Sequence, residues 1–159
     1  VSEVLFLLLL PLFFSRFGFK VTILVGMIAW VIRYILFAYG NAQELTSMLI
    51  VGIILHGICY DFFFVSGQIY TNSKAGEKYK SAAQGLITLA TYGIGMLIGF
   101  WVAGIISDTY KVSDTQHDWE KIWMIAAGIA AVVAVLFFFT FSQKKENSER
   151  SMDKNLDEI

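Results

Sequence analysis

Residues 45–70 read LTSMLIVGIILHGICYDFFFVSGQIY, and this stretch decides the fold. It is apolar almost throughout, and its polarity does not alternate. A helix needs roughly 20 mostly apolar residues to cross about 30 Å of hydrocarbon, and this run exceeds that. Barrel strands are about 10 residues long with alternating polarity, which Leu7-Leu8-Leu9-Leu10 and Phe137-Phe138-Phe139 lack. The stretch nevertheless carries His56 and Asp61 in its interior.

Working outward, four more apolar runs appear. They cover about 1–15, 21–39, 82–106 and 122–142. The expected fold is therefore all-α and integral to the membrane, with five transmembrane helices in one bundle over residues 1–142. The connections are short and polar: 16–20, 40–44, 72–81 and 107–121. Residues 143–159 form a charged tail with too little apolar surface to fold alone, and disorder is expected there. The chain begins on Val1 inside an apolar run, without the basic segment of a signal peptide. It is expected to be a fragment that lacks its N-terminal part.

Composition agrees. Of 159 residues, 57% are hydrophobic and only 16% charged, against about 25% charged in soluble domains. The net charge of -1 offers no basic face for nucleic acid. The single cysteine, Cys59, excludes a disulfide scaffold and a Cys-based zinc site within one chain. No G-x-x-x-x-G-K-[ST], H-E-x-x-H or G-x-S-x-G motif is present, so nothing points to ATP-driven transport, a zinc protease or a serine hydrolase. No metal, cofactor or enzymatic activity is expected.

Alternating the loops across five spans places Arg16, Lys20, Lys74, Lys78, Lys80, Lys144 and Lys145 on one side. The other side holds Lys111 and Lys121 among acidic residues. Positive loops stay cytoplasmic. The tail is therefore expected inside the cell, and the loop around Asp108–Glu120 outside, with Trp119 and Trp123 at the outer interface. The expected location is the inner (plasma) membrane, crossed several times.

Ionisable side chains in a spanning helix cost at least about 2.5 kcal/mol each at the bilayer centre. This chain keeps Glu3, Arg33, His56 and Asp61. At 1.5 Å per residue, Glu3 and Arg33 each lie roughly 18 Å from the inner ends of their spans. His56 and Asp61 lie roughly 21 and 14 Å from theirs by the same rise. Three helices thus bring ionisable groups to one depth, as a polar cavity at the midplane requires. On a wheel of 100° per residue, Gly52, His56, Tyr60, Phe63 and Gly67 share an arc flanked by Asp61, Phe64 and Gln68. Ile53, Leu55, Ile58 and Phe62 lie opposite. The stripe reads as a cavity wall, with rings for a flat ligand and polar edges to orient it. Thr91, Gly95, Gly99 and Ala103 form a small-residue row suited to helix packing. Gln84, Thr88 and Tyr92 form a second, polar row.

Each feature has a plainer reading. Arg33 can snorkel or pair structurally, His56 can be a core histidine bonded to a neighbouring helix, and Lys74, Lys78 and Lys80 read as a topology signal. Asp61, flanked by apolar residues, is the hardest to account for that way.

Several motifs in order resemble the nucleoside:proton symporters of the major facilitator superfamily. They are Ser2-Glu3-Val4-Leu5-Phe6, Ser15-Arg16-Phe17-Gly18-Phe19-Lys20, Ile32-Arg33-Tyr34 and Leu36-Phe37-Ala38-Tyr39-Gly40. His56 to Phe63, Ser66-Gly67 and Ser81-Ala82-Ala83-Gln84-Gly85 continue the match. The resemblance implies a twelve-spanning transporter of two six-helix halves working by alternating access. This chain would be spans eight to twelve, most of the C-terminal half. Its implied partners are a nucleoside, protons, the lipid bilayer and the missing N-terminal half. The resemblance puts substrate contacts on Glu3, His56, Tyr60 and Asp61, and proton coupling on Asp61 or Glu3. Arg33 is a candidate ion-pair partner for either acid. Two positions depart from the pattern: His56 replaces a tyrosine, and Ser15 replaces the aspartate of the superfamily's inner-loop motif. Two other functions stay open at this point: a facilitator for sugars or drug-like cations, and a scaffold without transport.

Overall fold

The computed structural model describes residues 2–41, 44–113 and 116–141. The expected tail at 143–159 lies outside the described residues. Four long apolar helices are found among those described, where the sequence suggested five. The difference arises at the start. Helix α1 (Ser2–Tyr39) contains both of the first two expected spans, and Gly18 interrupts it with φ 75°, ψ 172°. The expected polar loop at 16–20 shrinks to that one residue. Such a backbone conformation is essentially reserved for glycine. The Thr22 hydroxyl, fully buried, donates to the Gly18 carbonyl over 2.9 Å and satisfies a group that the break would orphan.

The break turns the chain back on itself. A straight helix would separate residues 3 and 33 by about 45 Å at 1.5 Å per residue. Yet Glu3 and Arg33 both reach the same His56 ring. Arms 2–17 and 19–39 therefore run antiparallel. Gly18→Ala is expected to destabilise the protein by about 1–3 kcal/mol, because alanine pays for this φ/ψ with steric strain. A lowered thermal unfolding midpoint in detergent is the readout.

Helix α2 (Thr46–Tyr60) continues through a π-helical turn, Asp61–Val65, into α3 (Ser66–Lys74). Ala75 and Gly76, the latter at φ 66°, reverse the chain into α4 (Gly76–Thr88). The polar segment expected as a loop at 72–81 is thus mostly helical. A second π-helical turn, Leu89–Gly95, leads into α5 (Met96–Thr109). A short antiparallel hairpin follows, β1 (Lys111–Ser113) with β2 (Gln116–His117), in a segment where no strand was expected. Helix α6 (Trp119–Thr140) closes the order. Asp118 caps it by accepting from the Lys121 amide at 3.2 Å. The Lys121 ammonium and amide hold the Asp118 carboxyl below its ordinary range, so the cap stays ionised at neutral pH.

The core lies between the second arm of α1, the π-turn after α2, and α6. Ile23, Met27 and Ala134 are buried together, with Phe63 and Phe137 packed against them. Lys20 Nζ donates to the Phe138 carbonyl at 2.9 Å at one end of this contact. At the other end Trp123 stacks on Tyr34 at 5.7 Å and meets Phe37 edge-on at 5.2 Å. Trp123, expected at the outer interface, is therefore turned toward α1. Phe19 meets Tyr70, and Tyr70 meets Phe141, so the Gly18 turn and the ends of α3 and α6 gather at one end of the bundle. The run Gly76–Thr109 contains no buried residue. In the small-residue row at Thr91, Gly95, Gly99 and Ala103, a methyl on Gly99 would meet no atom within 4 Å among the described residues.

Candidate functional site

Sequence and geometry converge on His56. Glu3 Oε1 lies 3.2 Å from His56 Nε2. Arg33 NH1 lies 3.0 Å from His56 Nδ1. The Gly18 turn makes this possible, because it returns Arg33 to the level of Glu3. A guanidinium has donors only. Nδ1 must therefore accept from Arg33, and the Glu3 carboxylate stands beside the opposite nitrogen, Nε2. Arg33 reaches Glu3 only through the ring, and among the described residues it forms no ion pair with a carboxylate. Its guanidinium also lies over Trp30 (5.4 Å) and Phe37 (5.1 Å), contacts that favour a cation on an aromatic face. The side chains of His56 and Glu3 remain 38% and 51% exposed, so the pair opens to one side of the bundle.

An aromatic ladder continues from His56. The ring of Tyr60 follows at 6.1 Å, and Phe64 follows Tyr60 at 5.4 Å. These are successive i,i+4 positions, which line one helix face. Tyr92 joins from the opposite helix: its ring stacks on Phe64 at 5.7 Å, and its hydroxyl lies 2.8 Å from that of Tyr60. Gln84 Nε2 donates to the Gln68 carbonyl at 2.8 Å between the same two runs. The polar row of Gln84 and Tyr92 therefore faces the His56 helix. Tyr92 lies outside the site residues that the sequence singles out, although its i,i+4 spacing from Thr88 and Gln84 is a signal for it.

Asp61 is placed differently. It is 3% exposed, and its Oδ2 is buried without a hydrogen-bond partner. The π-turn that begins at Asp61 explains the departure from the helical wheel. A π-turn takes more residues per turn than the 100° wheel assumes. Residues beyond Tyr60 are thereby rotated, and Phe63, expected on the polar arc, packs on the core instead. The Ser66 hydroxyl donates to the Asp61 carbonyl at 3.2 Å across the turn. Turns of this kind occur often at functional sites.

A cavity of ≈ 440 Å³ lies beside the ladder, lined by Ile23, Met27, Phe64, Gln68, Thr91 and Phe137 among others. Glu3, Arg33, His56, Tyr60 and Asp61 do not line it. The sequence-derived residues thus fall into two groups. Glu3, Arg33 and His56 form one bonded triad with Tyr60 alongside, and Asp61 sits buried at the π-turn.

The family model described as "Nucleoside H+ symporter" matches residues 1–146. The putative nucleoside transporter YegT of Escherichia coli (strain K12) is 40% identical over 149 residues, covering 89% of this chain and 35% of that protein. The xanthosine permease of the same organism is 36% identical over 142 residues, covering 89% of this chain and 34% of that protein. The crystal structure of the nucleoside transporter NupG superposes with a TM-score of 0.81 at 34% identity, over 90% of this chain and 35% of that one. The chain therefore spans about a third of the length of the relatives it matches.

Proposed function

The chain belongs to the nucleoside H+ symporter family, a family of transporters and not of enzymes, and from that premise we propose that it forms the C-terminal part of a secondary transporter carrying nucleosides with protons. The reading has five membrane crossings, corresponding to spans eight to twelve. The antiparallel arms of α1 supply two of them, and Thr46–Lys74, Gly76–Thr109 and Trp119–Thr140 supply the other three. The order of the family-like motifs along these crossings supports placing them in the C-terminal half. The excess of Lys and Arg at one end supports a cytoplasmic position for that end, in the inner (plasma) membrane. The whole transporter includes an N-terminal half, which closes the open side of the Glu3–His56 pair and completes the cavity. Alternating access then exposes the site to one side of the membrane at a time.

The observation that carries this reading is the Glu3–His56–Arg33 triad beside the Tyr60 ring. A carboxylate, an imidazole N–H and a flat aromatic face are the groups that a nucleoside needs. Glu3 accepts from sugar hydroxyls or from donors on the base edge. Tyr60, held by Tyr92, offers the base a stacking surface. Asp61 carries the proton, because its buried, unpartnered oxygen can take one up without breaking a hydrogen bond. A protonated Asp61 then acts as a donor.

The test is uptake of radiolabelled uridine and adenosine by cells expressing the full-length transporter, with and without a protonophore. Saturable uptake that collapses with the proton gradient is expected. Glu3→Gln is expected to weaken the apparent KM by about 10- to 150-fold. That range corresponds to the roughly 1.5–3 kcal/mol of a hydrogen bond to a charged group. Well-expressed protein that takes up sugars or organic cations but no nucleoside would overturn the proposal.

A further inference from the structure

The structure assigns Arg33 as a positioning residue: it fixes which nitrogen of His56 carries the proton, and so makes the ring a hydrogen-bond donor at Nε2, on the side of Glu3. Arg33 NH1 lies 3.0 Å from Nδ1, and Arg33 cannot accept a hydrogen bond. Nδ1 must then present its lone pair, because a proton there would point at another N–H. Glu3 takes the opposite nitrogen at 3.2 Å, as a carboxylate that can only accept. Finally, Arg33 is itself held in place. Its guanidinium lies against Trp30 and Phe37, and its Nε is buried without a partner. A buried, unpartnered N–H costs roughly 1–3 kcal/mol.

The groups around the ring leave no other candidate for this task. From α1 come Glu3 and Arg33. From the ring's own helix come Tyr60 and, one residue on, Asp61, and Tyr92 reaches the cluster through Tyr60. Glu3 faces Nε2, and among the described residues only Arg33 bonds Nδ1.

The consequence concerns the chemistry of the ligand. Where a substrate group displaces Glu3 from Nε2–H, the replacing atom must be an acceptor, such as a base carbonyl or a pyridine-type ring nitrogen. A donor at that place would meet a second donor. This consequence rests on the nucleoside reading; the tautomer does not.

The experiment is nitrogen NMR of ¹⁵N-histidine-labelled full-length transporter in lipid nanodiscs at neutral pH without nucleoside. His56→Gln assigns the signal. The wild-type ring is expected to show a protonated Nε2 and an unprotonated Nδ1. Because Glu3 also favours that tautomer, the decisive comparison is made with Glu3→Gln, whose amide can serve either tautomer. Glu3→Gln alone is expected to keep the Nε2–H pattern. Adding Arg33→Met is expected to let the Nδ1–H form become populated, so that the separation of the two nitrogen resonances narrows. Adding Arg33→Lys instead is expected to restore the separation. A proton on Nδ1 in the wild type overturns the assignment even if the double variant does not fold. A separation left unchanged by Arg33→Met in the Glu3→Gln background overturns it too. Failure of nucleoside uptake would sink the transport reading and leave the tautomer result standing.

Discussion

Asp61→Asn in the full-length transporter is expected to abolish accumulation of nucleoside against its gradient. Exchange of labelled for unlabelled nucleoside is expected to persist. Asparagine matches the shape of aspartate but can neither take up nor release a proton at working pH. Asp61 is 3% exposed, with Oδ2 buried and unpartnered, so the substitution breaks no hydrogen bond at that atom and fold loss is not expected. An amide there leaves coupling with nothing to carry, whereas binding through Glu3, His56 and Tyr60 is retained. The expected split is loss of the protonophore-sensitive part of uptake at near-normal exchange. Glu3→Gln is expected to give the reverse, weaker binding with coupling retained. Accumulation by Asp61→Asn that still collapses with a protonophore would remove Asp61 from the proton path.

Gly26→Val is expected to be the most damaging single substitution for folding. An ideal Cβ on Gly26 would lie 2.8 Å from the Phe63 amide nitrogen and 2.9 Å from the Phe62 carbonyl carbon. Both are backbone atoms of the π-turn, and neither can swing aside as a side chain could. The second arm of α1 would have to move off the turn that carries Asp61. Forcing extra methyl groups into a packed contact costs typically about 1–3 kcal/mol, and a backbone obstacle places this case at the upper end. The expected results are a marked fall in the thermal unfolding midpoint in detergent and loss of folded material on size exclusion. Gly128→Ala serves as control, since a methyl there meets no atom within 4 Å. Equal midpoints for the two variants would mean that the close approach at Gly26 does not hold the bundle together.

Gly26 and Asp61 belong to one arrangement. Gly26 sets how closely α1 approaches the π-turn, and the turn sets where Asp61 points. A partial reading therefore comes from Gly26→Ala. If it folds, its coupling is expected to suffer more than its nucleoside affinity, because Glu3 and His56 lie before the turn.

Much of this was legible in the residues, and the part that was not has identifiable causes. The apolar runs marked the helices because their length against a bilayer is a one-dimensional property. Glu3, Arg33 and His56 stood out because an ionisable group in such a run is expensive wherever it points, and helical rise alone placed them at one level. The fold-back at 16–20 was expected as a polar loop; its reduction to Gly18 depended on a single backbone conformation that composition does not report. The loop expected at 72–81 became helix because only Ala75 and Gly76 were needed to reverse the chain.

Run length and desolvation cost need no knowledge of neighbours, so the residues alone specify a bundle of apolar helices with ionisable groups at a shared depth. Which of those groups meet depends on how the helices pack. A wheel of fixed pitch cannot anticipate the π-turn at Asp61–Val65, which buries Asp61 and turns Phe63 to the core. Nor can sequence choose a partner for Arg33: a guanidinium pairs more strongly with a carboxylate than with an imidazole, yet it meets His56 Nδ1, because of where Gly18 folds the chain and where Trp30 and Phe37 hold the side chain.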